Sequence, residues 1–427
     1  MRLVLLAPTF SRNMGYLENI LPRYLARAGI ETHVVAMDLP PYHWMPESKE
    51  TYADFSGENQ AGTIEDREGF TVHILGHKRV AGYMRMVGLR EKLSTIRPDI
   101  VQCSSVIGWI PVDAALFKCY LGYRLFSGNH YHASVFPLAS KSLPWWKAER
   151  LRCTITRALP GWAVSLLTEK CYAIAPDCAD VAVRFFGVPR KKIEICSLGV
   201  DTDLFRPAST EKDQEARLEL RKRLGFTDSD IVCIYTGRLG DDKNPLLLAQ
   251  SIAHLTGKGE PFRGLFVGKG TQAQAIQSCA GCTTHPFVPV HELGDFFRAA
   301  DVGVWPAQES LSMLDAAACG LPIVANHTMT AQERIEGNGL FYRLNDRGDL
   351  IRVLLQLRDP QTRLQMGSFG ARKMARAFSW DTMAKRRIQD YEIALGGGRL
   401  SGRNLVPRKL FETTDQRLEQ KGADTVI

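Results

Sequence analysis

Three times between Ile231 and Asn326 an apolar, β-rich run ends in small or charged residues and gives way to a helical pattern. The pieces run from Tyr235 to Pro245, from Phe266 to Gly270 and from Trp305 to Pro322. Strands joined by crossover helices are parallel, so their exit loops gather on one edge of a sheet, the edge where α/β folds bind ligands. The expected fold class is therefore α/β, with an anion-binding cleft along that edge.

In the first loop Gly237 allows a tight exit from the strand, and Pro245 suits the first turn of a helix over Leu246 to Thr256. Arg238 and Lys243 flank that turn, two cations beside a helix N-terminus whose unpaired N–H groups favour phosphate. Taken singly, each is also readable as a solvated surface cation. In the third loop Glu309 and Asp315 stand near the start of a predicted helix, Ser310 to Cys319, stopped by Gly320 and Pro322. An acid in a first turn can simply answer the helix dipole, which suffices for Glu309. Asp315 sits between Met313-Leu314 and Ala316 to Ala318, where Asp has poor helix propensity and, if buried, needs a hydrogen-bond donor. A ribose diol would supply one.

The rest of the chain repeats the rhythm. Leu3 to Ala7 reads as a strand, Phe10 to Tyr16 as a loop with Gly15 near its end, and Leu17 to Ala28 as a helix closed by Gly29. The three-glycine dinucleotide fingerprint is missing, which argues against a dehydrogenase. Asp38 to Phe70 is polar, broken by proline and glycine, and reads as an insertion over the cleft. Strands at Phe70 to Ile74, Asp99 to Cys103 and Arg124 to Ser127 then alternate with a basic segment, His77 to Arg90, and a helix, Ile107 to Leu121. The third of these strands runs into Gly128 to Ser134, where His130 and His132 flank Tyr131. Strand Cys171 to Ala175, helix Asp177 to Phe186 and strand Lys192 to Cys196 complete the first half. Past Gly199 to Pro207 the second half opens on a charged helix, Glu211 to Leu224. Ser379 caps a helix that continues through Leu395. A chain of 427 residues is long for one core, so two Rossmann-like domains are expected. Their spans are 1–205, completed by the helix 379–395, and 206–378, with 396–427 as a polar tail.

A formal charge of +8 suits an acidic ligand or an anionic membrane surface and is too thin for a nucleic-acid binder. The ten cysteines sit mostly in apolar runs, as buried thiols of a reducing compartment do. Cys279, Cys282 and His285 have a metal-like spacing with no second cysteine pair beside them, so no metal is expected. Met1 to Pro8 is too short for a signal peptide, and no apolar stretch reaches the length of a membrane span. A cytoplasmic protein is expected, at the inner face of a membrane at most. The region 141–166 carries that last reading: Trp145, Trp146, Lys147, Arg150, Arg152 and Arg157 alternate with Leu151, Ile155, Leu159, Trp162 and Leu166. Such a face can lie on anionic lipid, each cation adding about 1 kcal/mol, or it can be an ordinary helix with snorkelling cations.

Arg238 and Lys243 after a strand, the Gly268-Lys-Gly270 turn, Glu309 and Asp315 running into Ala317-Ala-Cys-Gly-Leu-Pro322, and Gly199-Val-Asp-Thr-Asp-Leu-Phe205-Arg-Pro207 together resemble family four of the retaining, nucleotide-sugar-dependent glycosyltransferases. The resemblance implies a GT-B fold, two Rossmann-like domains facing a central cleft. It implies transfer of a sugar, with retention, from a nucleotide-diphosphate sugar to a hydroxyl of a carbohydrate or lipid-linked acceptor, in polysaccharide, glycolipid or other glycoconjugate synthesis. No cofactor, divalent metal or nucleic acid is then called for. Arg238 and Lys243 would stabilise the leaving diphosphate, Asp315 would hold the ribose and Glu309 the sugar hydroxyls. His130 or His132 would reach a hydroxyl near the anomeric carbon. Gly15, Gly237, Gly268, Gly270, Ser310, Leu311 and Ser312 would shape the donor site, and the nucleotide base would sit on main-chain groups near Val290. One departure stands out: the family spaces two glutamates with seven residues between them, whereas here Asp315 takes the second place and only five residues intervene. That shortening can displace Glu309, hand its role to Gln308 or weaken catalysis. A degenerate nucleotide-sugar binder and a sugar-nucleotide epimerase of the same build are the alternatives.

Overall fold

The computed structural model describes residues 1–40, 43, 59–139, 144, 146–398 and 400. Trp145, most of the expected insertion and nearly all of the expected tail lie outside the described residues.

Two sheets carry the chain. The first has eight strands in the order Ile193–Ile195, Thr168–Ala173, Arg124–Asn129, Ile100–Cys103, Arg2–Leu6, Glu31–Met37, Phe70–Leu75 and Ile64–Arg67. All its pairings are parallel except the last, which is antiparallel. The second has six parallel strands: Cys282–His285, Phe262–Val267, Ile231–Thr236, Val302–Trp305, Ile323–Asn326 and Gly339–Tyr342. Their central runs are buried along their whole length, as strands covered by helices on both faces must be.

Each sheet starts in its middle, grows one way and then returns to the other side of its first strand. The reversal falls between Arg2–Leu6 and Ile100–Cys103 in one sheet, and between Ile231–Thr236 and Val302–Trp305 in the other. At such a point adjacent exit loops diverge and leave a crevice, the usual ligand site of an open α/β sheet.

The chain crosses between the sheets twice at one place. The Val200 N–H donates to the Phe378 carbonyl at 2.7 Å, and the Trp380 N–H donates to the Val200 carbonyl at 3.0 Å. The crossing is so close that a Cβ on Gly199 would fall 2.8 Å from Trp380. Helix Trp380–Leu395, capped by the Ser379 hydroxyl on the Thr382 N–H at 3.2 Å, then buries Trp380, Met383, Ala384, Tyr391 and Ala394 in the core of the first sheet.

One expectation is corrected, and two further segments gain a definite shape. The basic segment after His77 is a hairpin, His77–Val80 with Tyr83–Met86, held to the helix Trp109–Leu121 by a two-pronged Arg85–Asp113 pair at 2.7 Å. The helix expected from Ser310 starts at Ser312: the Met313 N–H reaches only the Ser310 carbonyl at 3.2 Å and the Leu314 N–H that of Leu311 at 2.8 Å, a tighter turn than the α-helix that follows. Residues 148–167 make one continuous helix that widens into a π turn at Thr154–Ala158, just before Pro160, whose missing N–H cannot close an ordinary turn.

Candidate functional site

The two crevices meet in one cleft. From the first sheet come the loop residues Asn13 to Tyr16, from the crossing Gly199 and Asp201, and from the second sheet Thr236, Gly237 and Ser310 to Ser312. Of the candidate residues, Gly15, Gly237, Val290, Ser310, Leu311, Ser312 and Asp315 line this cleft. The walls nearly touch at Gly15, where a Cβ would stand 3.0 Å from Val290 Cγ2 on the other half.

Gly268 and Gly270 do not line it. They seat the loop that carries the cations: a Cβ on Gly268 would fall 1.9 Å from the Gly237 carbonyl oxygen, and one on Gly270 would fall 2.5 Å from that of Leu239. The Gly237 N–H donates to the Val267 carbonyl at 3.0 Å and the Leu239 N–H to that of Lys269 at 2.9 Å, fixing the backbone on either side of Arg238.

Arg238 gives one N–H to Asp242 at 2.7 Å. Lys243 is partly buried, and among the described residues no hydrogen bond or ion pair reaches its ammonium. Burial lowers its pKa, the Arg238 charge adds to the fall, and Asp242 and Glu309 oppose it. A desolvated ammonium beside a guanidinium is a site short of negative charge.

Asp315 has the opposite problem. Burial, and then the negative charge of Asp201, push its carboxyl well above the usual carboxylate range. No hydrogen bond reaches its oxygens among the described residues, whereas Asp201 is bound by Arg23 and by the Tyr24 hydroxyl at 2.8 Å. Nearby, the Thr236 hydroxyl is buried on the cleft wall with no hydrogen-bond partner among the described residues.

Glu309 does not line the cleft. Its Oε1 accepts from the Thr330 N–H at 2.9 Å, the Thr330 hydroxyl at 3.2 Å and the Ala331 N–H at 3.3 Å, and its Oε2 pairs with Arg334 at 3.3 Å. Arg334 also donates at 2.8 Å to the carbonyl of Ile174, just past the strand Thr168–Ala173 of the first half. The Thr330 hydroxyl stands 3.4 Å from Asp177, whose carboxylate holds His132 Nδ1 at 3.1 Å and the Ala133 N–H at 2.9 Å. One polar chain therefore joins His132 to Glu309 across the gap between the halves. Burial alone would raise Asp177, but the hydrogen bond and charge of His132 and the Ala133 N–H outweigh it and hold the carboxyl at about 2.

His130 has no such tie. Burial, and then the charges of Arg387 and His132, hold its pKa down at about 4, so the ring is neutral at neutral pH and can give or take one hydrogen bond. His132, Asp177 and Cys178 bring potential metal ligands within 4.8 Å of one another. Asp177 is already occupied there, and burial drives the Cys178 thiol far up, away from the thiolate that a metal takes. Cys279, Cys282 and His285 do not converge: Cys282 donates to the Ala249 carbonyl and His285 bonds that of Pro286.

Sequence reasoning passed over Asp177, Asp201, Thr236, Thr330 and Arg334. Asp201 lay inside the Gly199 to Phe205 signature; the others gain meaning only through partners far along the chain.

Residues 21–204 match the family described as Glycosyltransferase Family 4, and residues 230–359 the family described as Glycosyl transferases group 1. The chain belongs to glycosyltransferase family 4. This family 4 chain is 30% identical over 235 residues to the D-inositol 3-phosphate glycosyltransferase of Xylanimonas cellulosilytica, covering 51% of this chain and 55% of that protein. It thus spans little more than half the length of the curated relatives of that name. With a protein named as glycosyltransferase EpsD of Bacillus subtilis it shares 24% identity over 82% of this chain and 91% of that one. Among solved structures it resembles sucrose-phosphate synthase from Thermosynechococcus elongatus, with a TM-score of 0.66, 15% identity, and 93% and 100% of the two chains covered. Anabaena HepE in complex with UDP and glucose gives a TM-score of 0.65 at 14% identity over 92% of this chain and 99% of that one. At such identities the likeness establishes the fold, which in this family 4 chain is GT-B.

Proposed function

We propose that the protein moves a sugar from a nucleotide-diphosphate donor to an acceptor hydroxyl, with retention and without a divalent ion. The carrying observation is Lys243, a partly buried ammonium with no carboxylate in hydrogen-bond reach among the described residues, beside Arg238 at the strand-order reversal of the second sheet. As the bond from the anomeric carbon to the diphosphate oxygen breaks, negative charge grows on the departing group, which is where fixed cations stabilise most. Asp315, raised and without a side-chain partner among the described residues, would accept from a ribose diol, and neutral His130 or Asp177-held His132 would meet a sugar hydroxyl. The HepE complex with UDP and glucose supports a nucleoside diphosphate in this kind of cleft. Closure of an acceptor half, 1–205 with the helix 379–395, on a donor half, 206–378, would exclude water from the donor. A carbohydrate or lipid-linked acceptor and peripheral contact with a membrane through 141–166 belong to the same reading; no helix among the described residues is long and apolar enough to cross a membrane.

One observation favours a second reading, a nucleotide-sugar binder without turnover: the Glu309 carboxylate is spent on Thr330, Ala331 and Arg334. Incubation with a panel of nucleotide sugars, followed by assay for free nucleoside diphosphate, separates the two. Release supports transfer; a ligand-dependent rise in melting temperature with no release supports the binder. Interconversion of the sugars would mark an epimerase and overturn both.

A further inference from the structure

We infer that one face of the helix between Ala148 and Leu167 is a docking surface for an anionic lipid bilayer. The inference rests on the membrane-side reading above but not on the transfer reaction. Leu151, Ile155, Leu159, Trp162 and Leu166, at intervals of four, four, three and four residues, are each about half exposed, from 49% to 60%. They form one stripe on one side of the helix. The helix Trp109–Leu121 packs beside it and adds exposed Leu116 and Tyr120, and Trp146 precedes it, 64% exposed. Soluble chains seldom leave so many large apolar side chains together in water.

The stripe cannot roll inward, because the other side of the helix is locked. A Cβ on Gly161 would fall 2.0 Å from the Phe186 carbonyl oxygen, and one on Gly187 would fall 2.1 Å from that of Ala158, so backbone lies on backbone. Lys118 takes the Leu167 carbonyl, and Lys192 takes those of Ser165 and Thr168. The fold therefore presents these side chains outward and holds them there.

Charge selects the occupant. Between Trp146 and Leu167 the chain carries Lys147, Arg150, Arg152 and Arg157 against the single acid Glu149. Arg150 lies over the Phe185 ring at 4.6 Å and Arg157 over that of Phe136 at 5.2 Å, while Lys147 and Arg152 are exposed. The hairpin held to the neighbouring helix adds exposed Lys78 and Arg79, and exposed Arg90 lies over the Tyr120 ring at 5.8 Å. An apolar stripe with tryptophan and a cationic surround matches the interface of an anionic leaflet. A second copy docked about a two-fold axis would set the same cations against one another, which disfavours it.

Sedimentation of the full chain with vesicles of phosphatidylcholine alone, and of phosphatidylcholine mixed with phosphatidylglycerol, tests this. The wild type is expected to sediment with the anionic vesicles and far less with the neutral ones. Leu159→Glu with Trp162→Glu should weaken that binding at least tenfold, as should the milder pair Leu151→Ser and Leu166→Ser should the first fail to fold. Leu218→Glu, at an equally exposed leucine on the helix Glu211–Arg223 of the other half, should leave it unchanged. Absence of wild-type binding to either vesicle overturns the inference. So does a dimer that the stripe variants split while vesicle binding stays as it was, since the occupant is then a second copy. Nucleoside diphosphate release in detergent-free solution is read separately, so failure of docking and failure of transfer are told apart.

Discussion

The two loops that meet at the reversal of the second sheet have spent their charges differently. The loop after Ile231–Thr236 rests on glycines that hold its backbone, and its cations are left nearly free: Arg238 has one partner, Asp242, and Lys243 has none among the described residues. The loop after Val302–Trp305 is short, and its Glu309 is consumed by Thr330, Ala331 and Arg334. A charge left unpaired in a half-buried place is held for something that arrives; a charge with four donors around it is holding the protein together. The difference favours the proposed role of the cations and gives the first carboxylate an architectural one.

The comparison breaks first, and hardest, at the cations. Replacing Arg238 and Lys243 together by alanine should lower kcat/KM for nucleoside diphosphate release by about 100- to 1,000-fold, the range for removing fixed transition-state donors. The circular dichroism melt should stay near wild type, because neither side chain is a core partner. Retention of activity within threefold would leave the cleft without its leaving-group anchor.

Glu309→Gln sharpens the other side. Arg334 is 5% exposed and would lose its charged partner, so a loss of about 2–3 kcal/mol in urea unfolding is expected. The donor KM should move little. A hundredfold fall in kcat with stability intact would mean that the carboxylate serves the sugar after all.

A smaller effect is expected at Asp177→Asn, about tenfold in kcat/KM. Asp177 fixes the Nδ1 side of His132, and an amide can present the wrong group to that nitrogen. The expected signature is a mixed tautomer of His132 in nitrogen-15 spectra, with the melting temperature lowered by only a few degrees. A pure, wild-type tautomer together with a tenfold loss would place Asp177 elsewhere in the reaction.

Most of the parallel strands were legible because the central ones are contiguous apolar runs, and Gly237, Pro245, Gly320 and Ser379 punctuate the turns and caps locally; polar strands such as Ile64–Arg67 were not, and the order of the strands was not read at all. The hairpin after His77 was missed although Ala81-Gly82 carried its signal: both residues take positive φ, 47° and 83°, as a tight two-residue hairpin loop requires. The seating role of Gly268 was out of reach, because the carbonyl it must not touch belongs to Gly237, thirty-one residues earlier. The direction of Glu309 was equally hidden. Shortening the loop was visible as a count, but the partners it turns toward lie on the far side of the next strand, and Thr330 reaches Asp177 across 153 residues.

Asp315 separates the two halves of the comparison most finely, since it lies on the short loop's helix yet, like Lys243, has no side-chain partner among the described residues. Its carboxyl is raised by burial and by Asp201, so the fold prefers the protonated form. Stability from that preference is full below the ordinary aspartate pKa, near 4, and is lost as pH climbs through the raised value. Above that ordinary value the fold must keep a proton that the unfolded chain releases, so the empty cleft loses stability as pH rises. Asp315→Asn should relieve this by about 1 kcal/mol, a rise of about 3 °C in melting temperature at pH 8 that disappears by pH 4. The same variant should gain less than the wild type when nucleoside diphosphate is added, because the amide keeps one neutral acceptor oxygen for the ribose diol where the carboxylate offers two charged ones. Loss of stability at every pH would instead make Asp315 a structural partner, and only the cations would then be waiting for a ligand.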